Sequence, residues 1–260
     1  MNCLHRIQVP LNTLKYFGMR KLYWVVIRLA QQSGQLLSDI VLSALSPSHQ
    51  LIKRRISRLL IDTYNGDGGQ NTDINQMFLG FGLIHYALIR NTKPKHILCV
   101  GSRKGYIPAI LALACKENGI GSVDFVDAGY DETDPKHHWS GIGFWKKNDS
   151  FRHFNKLGVA KFINTHIMTT KEFASLYPHK TFQYVYIDGD HSFKGVTLDY
   201  QLFWPRVQKF GFMVFHDVVA KGFLDKGKFG VWKFWKKIQS DHKVLLPFPI
   251  SSGLGILQKQ

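Results

Sequence analysis

The chain has 260 residues, 45% of them hydrophobic and 20% charged. That length and balance exclude a disordered chain and allow one α/β domain with an accessory segment, or two small domains. The formal net charge of +16 and pI near 9.8 point to an anionic partner, which could be nucleic acid, acidic lipid headgroups or a polyanionic glycan, and composition does not choose among them.

At the N-terminus, apolar residues recur at helical spacing from Leu14 to Leu45, but Arg20, Lys21, Arg28 and Asp39 interrupt them. The uninterrupted stretches fall short of the roughly 20 residues a spanning helix needs. A basic amphipathic helix carrying Tyr23 and Trp24 is expected instead, packed on the main domain, on a dimer partner or on a membrane surface. Helical spacing continues over 51–63 and 75–90, separated by the Gly-rich insert YNGDGGQNTD at 64–73, a loop suited to folding over a ligand.

From Lys95 the pattern changes to short β runs alternating with helical ones: HILCV, PAILALACKEN, SVDFVD, KFINTHI, FQYVYID, GFMVFHD. Such alternation implies right-handed crossovers and a mainly parallel sheet. KVLLPF and LGILQK, separated by PISSG, read as a closing hairpin. The expected organisation is a helical extension over residues 1–92 and an α/β domain over 93–260. Cys3, Cys99 and Cys115 lack metal-type spacing and read as free thiols, which fits a reducing, cytoplasmic compartment.

In open parallel sheets the ligand binds beyond the carboxyl ends of the strands. The residues at those ends are Gly101, Asp127, Asp188 and Asp217. VGSRKGY at 100–106 joins a strand to a helix, and Gly101 and Gly105 permit a sharp turn and close backbone approach, although Arg103 and Lys104 break the full G-x-G-x-x-G. Asp127 follows about 20 residues later, where a carboxylate can accept from both ribose hydroxyls of an adenine nucleoside. An adenosine-containing cofactor is therefore expected, with NAD and S-adenosylmethionine (SAM) both satisfying the pattern.

VGSRKGY, YIDGDHSFKGVTLDYQLFWPRVQKFGFMVFHDV and GVWKFWKKI followed by SSGLGIL together resemble the class I SAM-dependent methyltransferases over about 95–257. The resemblance is strongest to the small O-methyltransferase branch that includes macrocin-type sugar methyltransferases and cephalosporin-hydroxylase-like proteins. It implies a Rossmann-like, seven-stranded, mostly parallel sheet with a C-terminal β-hairpin. It also implies that Gly101, Ser102, Gly105 and Tyr106 line SAM, that Asp127 holds the ribose, that Met168 and Thr169 border adenine, and that Asp188 adds a further contact. Cys99 stands where an acidic residue is often found, so the SAM amino group must be met elsewhere.

Asp188 and Asp217 are expected to converge at one sheet edge, where two oxygen donors suit Mg²⁺. His216, where related metal-dependent sugar methyltransferases often have an acid, would be the third ligand. His191, one short turn beyond Asp188, is the expected general base, because an imidazole can take a proton from a substrate hydroxyl near neutral pH. Asp190 reads as a turn residue and Asp199 as pairing within its helix. The long insert after Asp127 carries Trp139 and Trp145, which could stack on a sugar, and His137, His138 and Lys146, which could meet an anion.

The acceptor that follows is a hydroxylated small molecule or glycan. RNA methylation would use the charge but has no added module or Asn/Asp-Pro-Pro-aromatic motif to support it. A non-catalytic scaffold of the same fold would fit the departures at Cys99 and His216, and an NAD-dependent dehydrogenase would fit the glycine turn and Asp127. A homo-oligomer and peripheral contact with the inner face of a membrane are compatible with the basic N-terminal helices.

Overall fold

The computed structural model describes residues 52–64, 66, 68–131, 133, 142–221, 229–238, 243–246 and 252–260. The expected N-terminal helices and His137, His138 and Trp139 lie outside them. Residues 54–260 form one compact unit, which includes the described helices before the first strand. Among the described residues no helix is long and apolar enough to cross a membrane.

Helices α1 (Arg54–Tyr64) and α2 (Phe81–Thr92) precede strand β1 (His96–Val100), α3 (Tyr106–Asn118) and β2 (Ser122–Asp127). Helix α2 starts later than periodicity suggests, because 73–80 forms a tight turn closed by an Asp73–Phe78 bridge. The insert after β2 contributes α4 (Phe144–Lys147) and α5 (Ser150–Asn155), then come β3 (Ile163–Ile167), α6 (Thr170–Leu176) and β4 (Phe182–Ile187). The chain continues with α7 (Phe193–Phe203), β5 (Val207–His216), α8 (Val231–Lys237), β6 (Lys243–Leu246) and β7 (Leu254–Gln258).

The seven strands run in the order β3-β2-β1-β4-β5-β7-β6. The first five are parallel, while β7 is antiparallel to both β5 and β6. Near-continuous apolar runs such as ILCV and YVYI suit strands covered on both faces. Alternation along β4 divides them: Val185 and Ile187 join Val196, Phe203, Phe234 and Trp235 in one core, while Tyr184 and Tyr186 turn to the opposite face, where His85 of α2 meets both rings. Helix α3, buried through its first ten residues, lies on that same side against α1 and α2.

The chain leaves β1 toward β2 and β3, then returns to lay β4 on the other flank of β1. This reversal opens a crevice at the carboxyl ends of β1 and β4, the usual ligand position in such sheets. Every described residue expected to do chemistry lies on or near a loop at this edge.

Candidate active site

The turn after β1 is built on two left-handed glycines, Gly101 (φ 74°) and Gly105 (φ 92°). A Cβ on Gly101 would lie 2.2 Å from the Asp188 carbonyl oxygen, and one on Gly105 would lie 2.8 Å from the Phe154 ring and 3.0 Å from Trp145. Both glycines are therefore required by packing as well as by backbone conformation. Between them, the Ser102 amide donates to Asp127 Oδ2 at 3.2 Å, and its carbonyl accepts from Trp145 Nε1 at 2.8 Å.

Asp127 Oδ1 accepts from the Gly129 amide at 2.8 Å, so each carboxylate oxygen holds one backbone donor and retains acceptor capacity. Burial raises its pKa against the lowering effect of those two amides. Other residues of the expected pocket also make structural contacts. Tyr106 is buried and donates to the Leu79 carbonyl at 2.7 Å. Thr169 caps α6 in a reciprocal box with Glu172. The Met168 amide bonds the Asp127 carbonyl at 3.0 Å, while its side chain packs on the α7–α8 core. Trp145 is buried, stacked at 5.4 Å on Phe154, so it is not a platform for sugar.

At the ends of β4 and β5, two aspartates and two histidines converge. His191 lies between the carboxylates, with Nε2 3.3 Å from Asp188 Oδ1 and Nδ1 2.9 Å from Asp217 Oδ2. His216 Nδ1 is 3.2 Å from both Asp188 Oδ1 and Asp217 Oδ1. Its other nitrogen, Nε2, sits 2.9 Å from the Gly69 carbonyl, and Ser252 Oγ lies 3.1 Å from it. Asp217 is held at φ 61°, a left-handed conformation rare for a non-glycine residue and often found at functional sites.

Burial works against charge on all four groups, yet their mutual attraction outweighs it. The two carboxylates push the His191 pKa up to about 10 and His216 well above its ordinary value, while the imidazoles hold Asp217 well below the carboxylate range and lower Asp188. In this arrangement His191 carries its proton at neutral pH.

The donor chemistry also fits a divalent cation. Ligand atoms of Asp188, His191 and Asp217 all lie within 4.8 Å of one another. His216 Nδ1 faces two of those carboxylate oxygens at 3.2 Å, so on losing its proton it would add a nitrogen donor to the same set. Nitrogen beside oxygen suits Mn²⁺, Fe²⁺ or Zn²⁺ better than Mg²⁺, which prefers oxygen throughout.

Around the cluster, Asp190 is a turn residue: its Oδ1 accepts from the Ser192 amide at 2.8 Å, and Ser192 in turn caps α7. Asp199 bonds Thr170 of α6 rather than pairing within its own helix. Gln70, Tyr186 and Ser252 also reach the cluster or its edge. The insert at 64–73, which contains Gln70, was expected to fold over a ligand, and Tyr186 and Ser252 lie within stretches that carry the resemblance, but none of the three was assigned a role in the cluster. Period-2 alternation, which places Tyr186 on the face of Asp188, was a further signal for that residue.

The methyltransferase-domain family matches residues 98–218, from β1 through the end of β5. Over that span the chain is similar to a methyltransferase domain. The span contains Gly101, Asp127, Asp188, His191, His216 and Asp217, whereas Gly69, Gln70 and Ser252 come from the segments flanking it. No curated protein matches the chain in sequence.

The domain's fold is shared with an O-methyltransferase from Bacillus cereus in complex with SAH, at 14% identity and TM-score 0.55 over 82% of this chain and 94% of that one. It is also similar to the O-methyltransferase TomG from Streptomyces achromogenes, involved in tomaymycin synthesis and in complex with SAM, at 15% identity and TM-score 0.55 over 85% and 96%. SAH-bound methyltransferase PaMTH1 from Podospora anserina aligns at 14% identity and TM-score 0.53 over 86% and 96%. The class I architecture expected from the sequence is the one observed.

Proposed function

We propose that this chain is a SAM-dependent O-methyltransferase that uses a divalent cation and acts on a hydroxyl of a sugar, glycan or hydroxylated metabolite. The observation that carries the reading is the meeting of two constellations at one crevice: the glycine turn tied to Asp127, and the Asp188–His191–His216–Asp217 cluster. Gly101 touches the Asp188 backbone directly, which keeps the two halves adjacent.

The residues fit SAM. The backbone over 101–105 offers a surface without Cβ atoms at its two glycines, and both Asp127 oxygens can accept a ribose hydroxyl. When bound, SAM supplies a methyl group already activated by its sulfonium. The chain's contribution is then in-line positioning of the acceptor oxygen and exclusion of water.

Asp188 and Asp217, with His216 or His191, would hold the cation, whose Lewis acidity would lower the pKa of an acceptor hydroxyl. His191 keeps its proton while it is paired with both carboxylates. With those carboxylates engaged by a cation, His191 would release its proton to solvent and, as the neutral imidazole, could take the proton of the acceptor hydroxyl. The SAM- and SAH-bound O-methyltransferases of the same fold support oxygen as the acceptor atom. The sugar or glycan rests on the macrocin-type motif alone.

The test is calorimetric titration with SAM, repeated with Asp127→Ala, followed by an acceptor screen with and without Mg²⁺ or Mn²⁺. SAM binding that is lost in the variant supports the cofactor site, and no binding by the wild type refutes the reading. A second reading, a non-catalytic binding protein, is favoured by the mutual neutralisation of two imidazoliums and two carboxylates. Asp188→Ala separates them, since it abolishes transfer only in an enzyme. Peripheral membrane contact is part of the proposal only through residues 1–45, and flotation with anionic liposomes, with and without that segment, tests it.

A further inference from the structure

Two groups in the cluster are gripped from outside the matched domain, and by adjacent residues of one turn. The short 3₁₀ turn Gly68–Gln70 places the Gly69 carbonyl on His216 and the Gln70 amide beside Asp188. Tyr186 completes the second grip from within β4. We propose that Gln70 and Tyr186 are positioning residues that aim Asp188 at the cation, so that the turn before α2 is a working part of the site. This rests on the cation reading above.

The directionality of the bonds follows from their chemistry. Gln70 Nε2 donates to the Tyr186 hydroxyl at 3.1 Å and approaches Asp188 Oδ2 at 3.4 Å, while the Tyr186 hydroxyl donates to that same oxygen at 2.9 Å. Reversing the Gln70 amide would set its carbonyl against a carboxylate oxygen, so the donor end must face Asp188. Tyr186 is fully buried, and its hydroxyl faces a carboxylate oxygen that can only accept, so it is the donor of that bond.

The consequence lies in the division of Asp188 into two ends. Oδ2 is held by Tyr186 and Gln70, which leaves Oδ1 directed at His191 and His216. On the other side, the Gly69 carbonyl accepts from His216 Nε2 and lies 3.3 Å from the Ser252 hydroxyl, which fixes the His216 ring with Nδ1 turned to the carboxylates. Outer partners of this kind orient ligands and typically change metal affinity about 10–100-fold when removed.

The test uses the full chain, with Mn²⁺ as the probe followed by electron paramagnetic resonance. Gln70→Met keeps length and removes the donor, and Tyr186→Phe removes only a hydroxyl. Each is expected to weaken Mn²⁺ binding about tenfold or more, with thermal stability and SAM affinity close to wild type. Because both act on one oxygen, the double variant should lose less than the product of the two single losses.

Tyr184→Phe is the control. Its hydroxyl lies 2.5 Å from His85 Nδ1, on the same face of β4 but one alternation further back along the strand and without a hydrogen bond to Asp188, and its loss should leave Mn²⁺ affinity unchanged. An equal loss in that control would reveal a general packing effect and overturn the assignment. Unaltered Mn²⁺ affinity in both Gln70→Met and Tyr186→Phe would overturn it while leaving the cation reading intact. Absence of Mn²⁺ binding by the wild type would overturn both.

Discussion

His191 and Asp199 are both buried titratable groups, but their surroundings act in opposite directions. His191 has counter-charges on two sides, so its role is tested through rate rather than folding. His191→Gln should lower methyl transfer about a hundredfold or more while calorimetric SAM affinity is retained. Asp199 has a threonine and a nearby like charge: burial raises its pKa to about 7, opposed by Thr170 and assisted by Asp190. A carboxyl whose pKa is raised on folding contributes stability below its unfolded value, and that contribution is lost as pH rises through the folded value. The wild type should therefore lose stability between about pH 4 and 7 relative to Asp199→Asn, by on the order of 3 kcal/mol. Urea denaturation of both proteins at pH 4.5 and 8 checks the sign. Neither environment is encoded locally, because Thr170 and Asp217 approach these groups only after the sheet is assembled.

The turn between β1 and α3 shows what an element can and cannot reveal in advance. Its glycines are visible in VGSRKGY, and so is the strand–turn–helix context. Their immediate neighbours are not visible: Gly101 lies against the Asp188 backbone, 87 residues away in sequence, and Gly105 lies under Phe154 and Trp145. Gly101→Ala should lower stability by about 2 kcal/mol or more, through both its positive φ and the displaced backbone, readable as a reduced thermal midpoint. The same limit explains Trp145. An aromatic residue in a long insert resembles a ligand platform until Phe125 and Phe154 are seen closing around it. The T-x-x-E box that makes Thr169 a helix cap was legible in the sequence.

Across the whole molecule, strand alternation and the final hairpin specified the sheet, and residues at strand ends specified the crevice. The insert carrying Gly69 and Gln70 was expected to fold over a ligand, but which cluster groups they and Ser252 reach depends on long-range closure rather than motif spacing. The outer half of the sheet makes the point: β7 inserts between β5 and β6, and β6 pairs with β7. A side chain on Gly255 would meet Trp235 at 2.8 Å, so Gly255→Val should loosen the hairpin from α8 and lower the denaturation midpoint. Strand β6 is synthesised first, yet it finds its place in the sheet only when β7 arrives. Since Ser252 lies just ahead of β7 and reaches His216, the cluster matures on the ribosome's schedule: a nascent chain lacking the hairpin can already contain every residue of the matched domain and still be waiting for the last piece of its site.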